Sequence, residues 1–179
     1  MKYFTYLNLL LAALLSAICM TSCEIIQKEF VPTCFINLNV EFEDGISFDA
    51  DSFSSELACV KSTREGAWVN YTAQTDDAQQ IRTIAYNNIN LLDKNGGSLN
   101  GLNWEGETEI DGIIKQQDSI VLKFKLFVEA SVTKEDKDIY CKPTIVKAEI
   151  VDGDFKCTLT SNEWNGKKST NAKLKINKK

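Results

Sequence analysis

Residues Ile120 to Val132 read IVLKFKLFVEASV, and this stretch decides the fold. Ile120, Leu122, Phe124, Leu126, Val128, Ala130 and Val132 fall on alternate positions, with Lys123, Lys125, Glu129 and Ser131 between them. Side chains in a strand point to opposite faces with period two, whereas a helix would scatter these seven residues around its circumference. The segment is therefore a strand with one face in a core and one face in water.

The same alternation recurs outward from it. Ile36, Leu38, Val40 and Phe42 oppose Asn37, Asn39, Glu41 and Glu43, and Ile46 and Phe48 resume the apolar face after the turn signal Asp44-Gly45. Asp152-Gly153 predicts a tight hairpin. Pairing Val151 with Asp154 sets Ile150 against Phe155, Ala148 against Cys157 and Val146 against Leu159, with Glu149 meeting Lys156 on the other face. A one-residue slip would send that apolar set to water. Near the end, Ala172, Leu174 and Ile176 alternate with Lys173 and Lys175, which predicts a terminal edge strand guarded by lysines. Gly66 to Ala73 reads as a strand carrying Trp68 and Tyr71. Ala78, Ile81, Ile84, Ala85 and Leu92 fit a helical stripe with Asp76 as N-cap, but Asn87, Asn88 and Asn90 are weak helix formers. Strand is the favoured reading for 79–92, with a turn at Asn95-Gly96-Gly97.

Many short strands punctuated by turns predict an all-β fold, a single antiparallel β-sandwich of the immunoglobulin-like or transthyretin-like kind. The alternative is an eight-stranded barrel, since Gly66-Ala67-Trp68 is similar to the Gly-x-Trp of lipocalins.

Composition narrows function. A net charge of −5 and a pI near 4.9 argue against nucleic acid as a partner. Without histidine there is no Ser-His or Cys-His nucleophile, and no CxxC pair offers zinc ligands or a redox dithiol. No GxSxG elbow or phosphate-binding loop is present, so the expected protein is not an enzyme, has no cofactor and holds no metal. A glycan hydrolase using a carboxylate pair is the enzymatic alternative, because that chemistry needs no histidine. The acidic run from Glu41 to Glu56 lacks the spacing of a calcium loop and reads as solvated. Trp104 and Trp164 lie beside turn glycines and are the candidate rings for a glycan or protein contact.

The amino terminus gives an address. Lys2 precedes the apolar run Leu7 to Ile18, about a dozen residues and well short of the roughly 20 a membrane span needs. Thr21, Ser22 and Cys23 follow. An apolar core, a small residue and then cysteine resembles the lipobox of bacterial lipoproteins. The resemblance implies cleavage of a signal peptide at 1–22, acylation of Cys23, a tether over 23–33 closed by Pro32, and a β-domain over 34–179. It also implies a cell-envelope location on a membrane, the outer membrane being the expected one. The short β-rich domain is similar in style to small lipoproteins of the Bacteroidota. Asp118-Ser119-Ile120 resembles the O-glycosylation signal of exported proteins in that phylum, which makes Ser119 a candidate sugar acceptor.

Export into an oxidising compartment leaves Cys34, Cys59, Cys141 and Cys157 as disulfide candidates, in any of three pairings. The hairpin register places Cys141 roughly 23 Å along the strand from the partner of Cys157, which disfavours a bond between them unless Pro143 folds the chain back. Cys59 with Cys157 is favoured, leaving Cys34 with Cys141, and the cross-pairing passes the same test. The expected function is that of a lipid-anchored, non-enzymatic envelope protein whose β-domain binds a protein or glycan partner. A small-ligand carrier is a further alternative.

Overall fold

The computed structural model describes residues 34–62, 66–76, 79–92, 106–135, 138–166 and 169–179, all within the unit Val31–Lys179. Period-two patterning becomes strand wherever it occurs: β1 (Phe35–Phe42), β2 (Phe48–Asp49), β3 (Phe53–Lys61), β4 (Trp68–Thr75), β5 (Gln80–Ile81) and β6 (Thr83–Leu92) come first. Then follow β7 (Thr108–Gln116), β8 (Ser119–Glu135), β9 (Asp138–Asp152), β10 (Phe155–Trp164) and β11 (Ser169–Lys178). No α-helix occurs among the described residues. The ambiguous stretch after residue 79 is strand, and Asp76 caps it differently from a helix: its carboxylate accepts the backbone N–H groups of Arg82 and Thr83 at the start of β6.

The strands form a five-stranded sheet in the order β10-β11-β1-β6-β4, a four-stranded sheet in the order β3-β7-β8-β9, and a short β2-β5 ladder. Neither large sheet closes on itself, so the protein is a β-sandwich and the barrel alternative is set aside. The inner faces supply the core. Ile36, Leu38, Val40, Ile84, Tyr86, Leu174 and Ile176 come from the larger sheet, and Ile110, Ile114, Leu122, Phe124, Leu126 and Val128 from the smaller. Burial of each such side chain contributes about 1.5–3 kcal/mol. Phe124 packs against Gly112, its cross-strand partner, so closely that a Cβ on Gly112 would lie 2.1 Å from the ring. Glycine is required there to make room for the ring.

Four features of the strands depart from the sequence reading, and each has a physical reason. First, the Asp152-Gly153 turn is not a ladder hairpin. β9 belongs to one sheet and β10 to the other, so the turn carries the chain across the sandwich. The two strands still run side by side, with the Asn162 amide donating to the Ile145 carbonyl at 2.9 Å. Gly153, at φ 103°, makes the corner. Second, β9 bulges opposite Phe127 and Val128, which pair with Lys147 and Ile145 respectively. The extra residue reverses the phase of the strand. Ile145 is buried and Val146, expected inside, is 49% exposed. Third, β11 is not an edge. It lies between β10 and β1, antiparallel to the first and parallel to the second. Its outward Lys173 meets the Glu41 carboxylate of β1 at 3.2 Å. Fourth, Ile120, expected in the core, is 51% exposed because β8 carries an extra residue at Val121, between the Ile114–Leu122 and Lys115–Ile120 pairs, so that Val121 packs against the core in its place.

Candidate functional site

The outer face of the four-stranded sheet is ordered in rows. Lys61, Glu109, Phe127 and Lys147 stand side by side across β3, β7, β8 and β9. Asp111, Lys125 and Glu149 make the next row, and Lys123 lies beyond it. Opposite charges therefore meet both across and along the strands. Lys125 reaches Glu109 at 2.8 Å, Lys123 reaches Asp111 at 2.7 Å, and Lys61 spans Glu107 and Glu109 at 3.4 and 3.5 Å. Asp111 is only 7% exposed although it points outward, because the lysines cover it. The Lys125 ammonium, through its hydrogen bond and its charge, holds the Glu109 carboxyl below the usual range. Lys125 is raised in return, first by its hydrogen bond to Glu109. Phe127 interrupts the charge pattern, with the Lys147 ammonium 4.9 Å from its ring centroid, a cation–π distance.

A hollow of about 290 Å³ opens beside Phe127. Two local events create it. β7 begins only at Thr108, opposite Val128, while β8 continues to Glu135. The bulge in β9 then turns Val146 outward at the same level. The floor is Phe127, Val128 and Val146, and the rim carries Glu107, Glu109, Glu129 and Lys147. Thr108 also lines it, buried, with a hydroxyl that has no hydrogen-bond partner among the described residues. An apolar floor with a mostly acidic rim suits a long cationic side chain, whose methylenes need covering and whose head needs a carboxylate. Sequence patterning missed this site because it depends on the bulge and on where β7 starts. The only sequence signal was Phe127 itself, an aromatic on the polar side of the decisive strand.

The residues singled out from sequence are scattered. Trp164 is half-buried at the end of β10, edge-on to Tyr140 at 6.2 Å between centroids, with the Lys142 ammonium 5.9 Å from its ring. Trp68, not among the candidate rings, is 45% exposed. Ser119 stands exposed beside the two-residue turn formed by Gln117 and Asp118, both at positive φ. Cys23 and Trp104 lie outside the described residues. Within the acidic run, Glu41 pairs with Lys173, and Asp49 accepts from the Asp51 N–H and the Ser52 hydroxyl. No group of three or more His, Cys, Asp or Glu gathers among the described residues.

Cys34 and Cys141 are brought together in the core, their thiols hydrogen-bonded to each other. Cys59 and Cys157 are not. β3 and β9 are opposite edges of the four-stranded sheet, and β10 runs beside β9. Three strand spacings, roughly 14 Å, therefore separate them. The favoured Cys59–Cys157 bond is ruled out by that distance, since disulfide Cα atoms lie within about 7 Å. Both thiols are half-buried and pushed up by burial.

No family model and no curated protein matches the chain. Among solved structures, IP-1A from Alcaligenes faecalis aligns over 84% of this chain and 94% of its own, at 11% identity and a TM-score of 0.28. At that score the likeness fixes neither fold nor role.

Proposed function

We propose that this chain is a lipid-anchored, non-enzymatic protein of a bacterial envelope, and that its β-domain binds a protein partner at the hollow beside Phe127. The partner presents a lysine or arginine whose stem lies on Phe127 and Val146 and whose head meets Glu107 and Glu129. The observation carrying this reading is the hollow itself, an apolar floor with an acidic rim on a face otherwise occupied by paired charges. The anchor rests on Cys23 and the apolar run before it.

Chemistry at the site favours binding over hydrolysis. A general acid in a glycan hydrolase needs a raised pKa, whereas Glu109 is lowered by Lys125. A protein partner is favoured over a glycan because the rim is charged, with the carboxylates of Glu107, Glu109 and Glu129 beside the Lys147 ammonium.

The test is a photo-crosslinking residue at Val146 in the full chain, in its native cells, with one at Asn171 on the other sheet as control. A protein adduct at Val146 alone, lost on Glu129→Lys, is the expected result. Adducts equal at both positions, unaffected by Glu129→Lys, or to glycan only, contradict it.

A further inference from the structure

We propose that Cys34 and Cys141 close into a disulfide that ties the start of the domain to the opposite sheet, while Cys59 and Cys157 remain thiols. The argument begins from topology. Ile36 pairs with Thr170 in the β1-β11 ladder, and the Thr170 hydroxyl donates to the Pro143 carbonyl in β9. That hydrogen bond pins β9 against the β1-β11 seam. Cys34 lies two residues before Ile36, and Cys141 two residues before Pro143. The two side chains meet between the sheets at 1% and 0% exposure, in hydrogen-bond contact. Cys59 and Cys157 lie on opposite edges, away from each other and, among the described residues, from any other cysteine.

The chemistry is thiol–disulfide exchange. The oxidant is itself a disulfide, either an oxidising dithiol protein in the exported compartment or oxidised glutathione in vitro. One cysteine thiolate attacks it, breaks its S–S bond and expels a thiolate; the second cysteine then attacks the mixed disulfide. Two protons and two electrons leave the pair, and the oxidant is reduced to two thiols. Timing follows from burial. In the folded reduced state both thiols are sealed in the core at 1% and 0% exposure, out of reach of a disulfide oxidant, and the hydrogen bond to Cys141 and burial push the Cys34 thiol up. The bond therefore forms before the sheets close over it, and once covered it resists reduction. Because it links the first residue of the domain to a late strand, it constrains nearly the whole unfolded chain, an effect worth about 10 °C in Tm.

That the bond forms in the cell rests on the envelope reading; the pairing itself rests only on geometry. Two experiments separate them. The full chain is taken from its native cells, free thiols are alkylated under denaturing conditions, and cysteine peptides are mapped without reduction. The same mapping follows refolding of the full chain in a glutathione redox buffer. A Cys34–Cys141 cross-link with Cys59 and Cys157 alkylated is expected in both. The cross-link in glutathione alone overturns formation in the cell and tells against the envelope reading, leaving the pairing intact. Any other cross-link, or none in glutathione, overturns the pairing. In oxidised protein, Cys34→Ala and Cys141→Ala should each lower Tm by about 10 °C, and the double variant should be no worse than either single one. Strictly additive losses would contradict a shared bond.

Discussion

The outer face of the five-stranded sheet carries Asn37, Asn39, Asn87 and Asn171, whereas that of the four-stranded sheet carries Glu109, Asp111, Lys123, Lys125, Phe127 and Lys147. On the first face asparagines satisfy their neighbours, the Asn37 amide donating to Asn171 at 3.0 Å and its carbonyl accepting the Asn88 N–H at 3.0 Å. Only a shallow groove of about 170 Å³ forms there. On the second face the charges pair, and the pattern breaks at one place to expose an apolar floor. Inner faces are alike because burial dictates both. Outer faces are free of that constraint, so their difference is where a role is written.

The largest effects should fall on the shared interior and be equal for the two sheets. Phe124→Ala and Leu174→Ala should each cost about 3–5 and 2–5 kcal/mol in urea unfolding. A near-neutral result for either would break the symmetry of the core. Gly112→Ala should cost about 1–3 kcal/mol by pushing the Phe124 ring aside, provided the fold survives.

Next in size is the seam between the sheets. Thr170→Val removes the buried hydroxyl that donates to the Pro143 carbonyl, and a loss of about 1–3 kcal/mol is expected. An unchanged unfolding midpoint would mean that the sheets are held by apolar packing alone.

The charged face should respond to acid through Glu109. Glu109 has a folded pKa below its unfolded value, so its contribution is complete above the unfolded carboxyl range near 4.3 and is lost as pH falls through the lower folded value. Asp76 adds to the same limb: burial pushes it up, but the Arg82 and Thr83 N–H groups outweigh that and leave it lowered. Lys125→Met should flatten the decline of unfolding free energy with falling pH below that range. The same slope in both proteins would sever the ladder from stability.

The smallest effect on folding should come from the hollow. Val146→Asp, at an exposed position, should change stability by less than about 0.5 kcal/mol yet abolish the crosslink reported from a neighbouring probe at Lys147. A large stability loss would make Val146 part of the core instead.

How much of this was legible in sequence follows from what is local. The alternation in β8 and β1 was readable because one buried face imposes period two, and Leu122 to Val128 lie where that pattern puts them. The strand at 83–92 was readable from its asparagines. Partner choice was not, because it is set by contacts distant in sequence. Asp152-Gly153 looks the same whether it closes a ladder or turns a corner between sheets, and the lysines of β11 look the same at an edge or beside Glu41. The bulge at Val146 hides for a related reason: one extra residue reverses every inward position before it, and nothing in the residues themselves marks the spot. The hollow inherits that invisibility. The Cys34 and Cys141 contact and the separation of Cys59 from Cys157 likewise depend on which sheet each strand joins.

The proposed membrane anchor is tested most directly by metabolic labelling of growing cells with an alkyne fatty acid, comparing the natural chain with Cys23→Ala. The natural chain should take up label and partition with membranes, and the variant should lose both. Label on neither protein, with both recovered in the soluble fraction, would contradict the account.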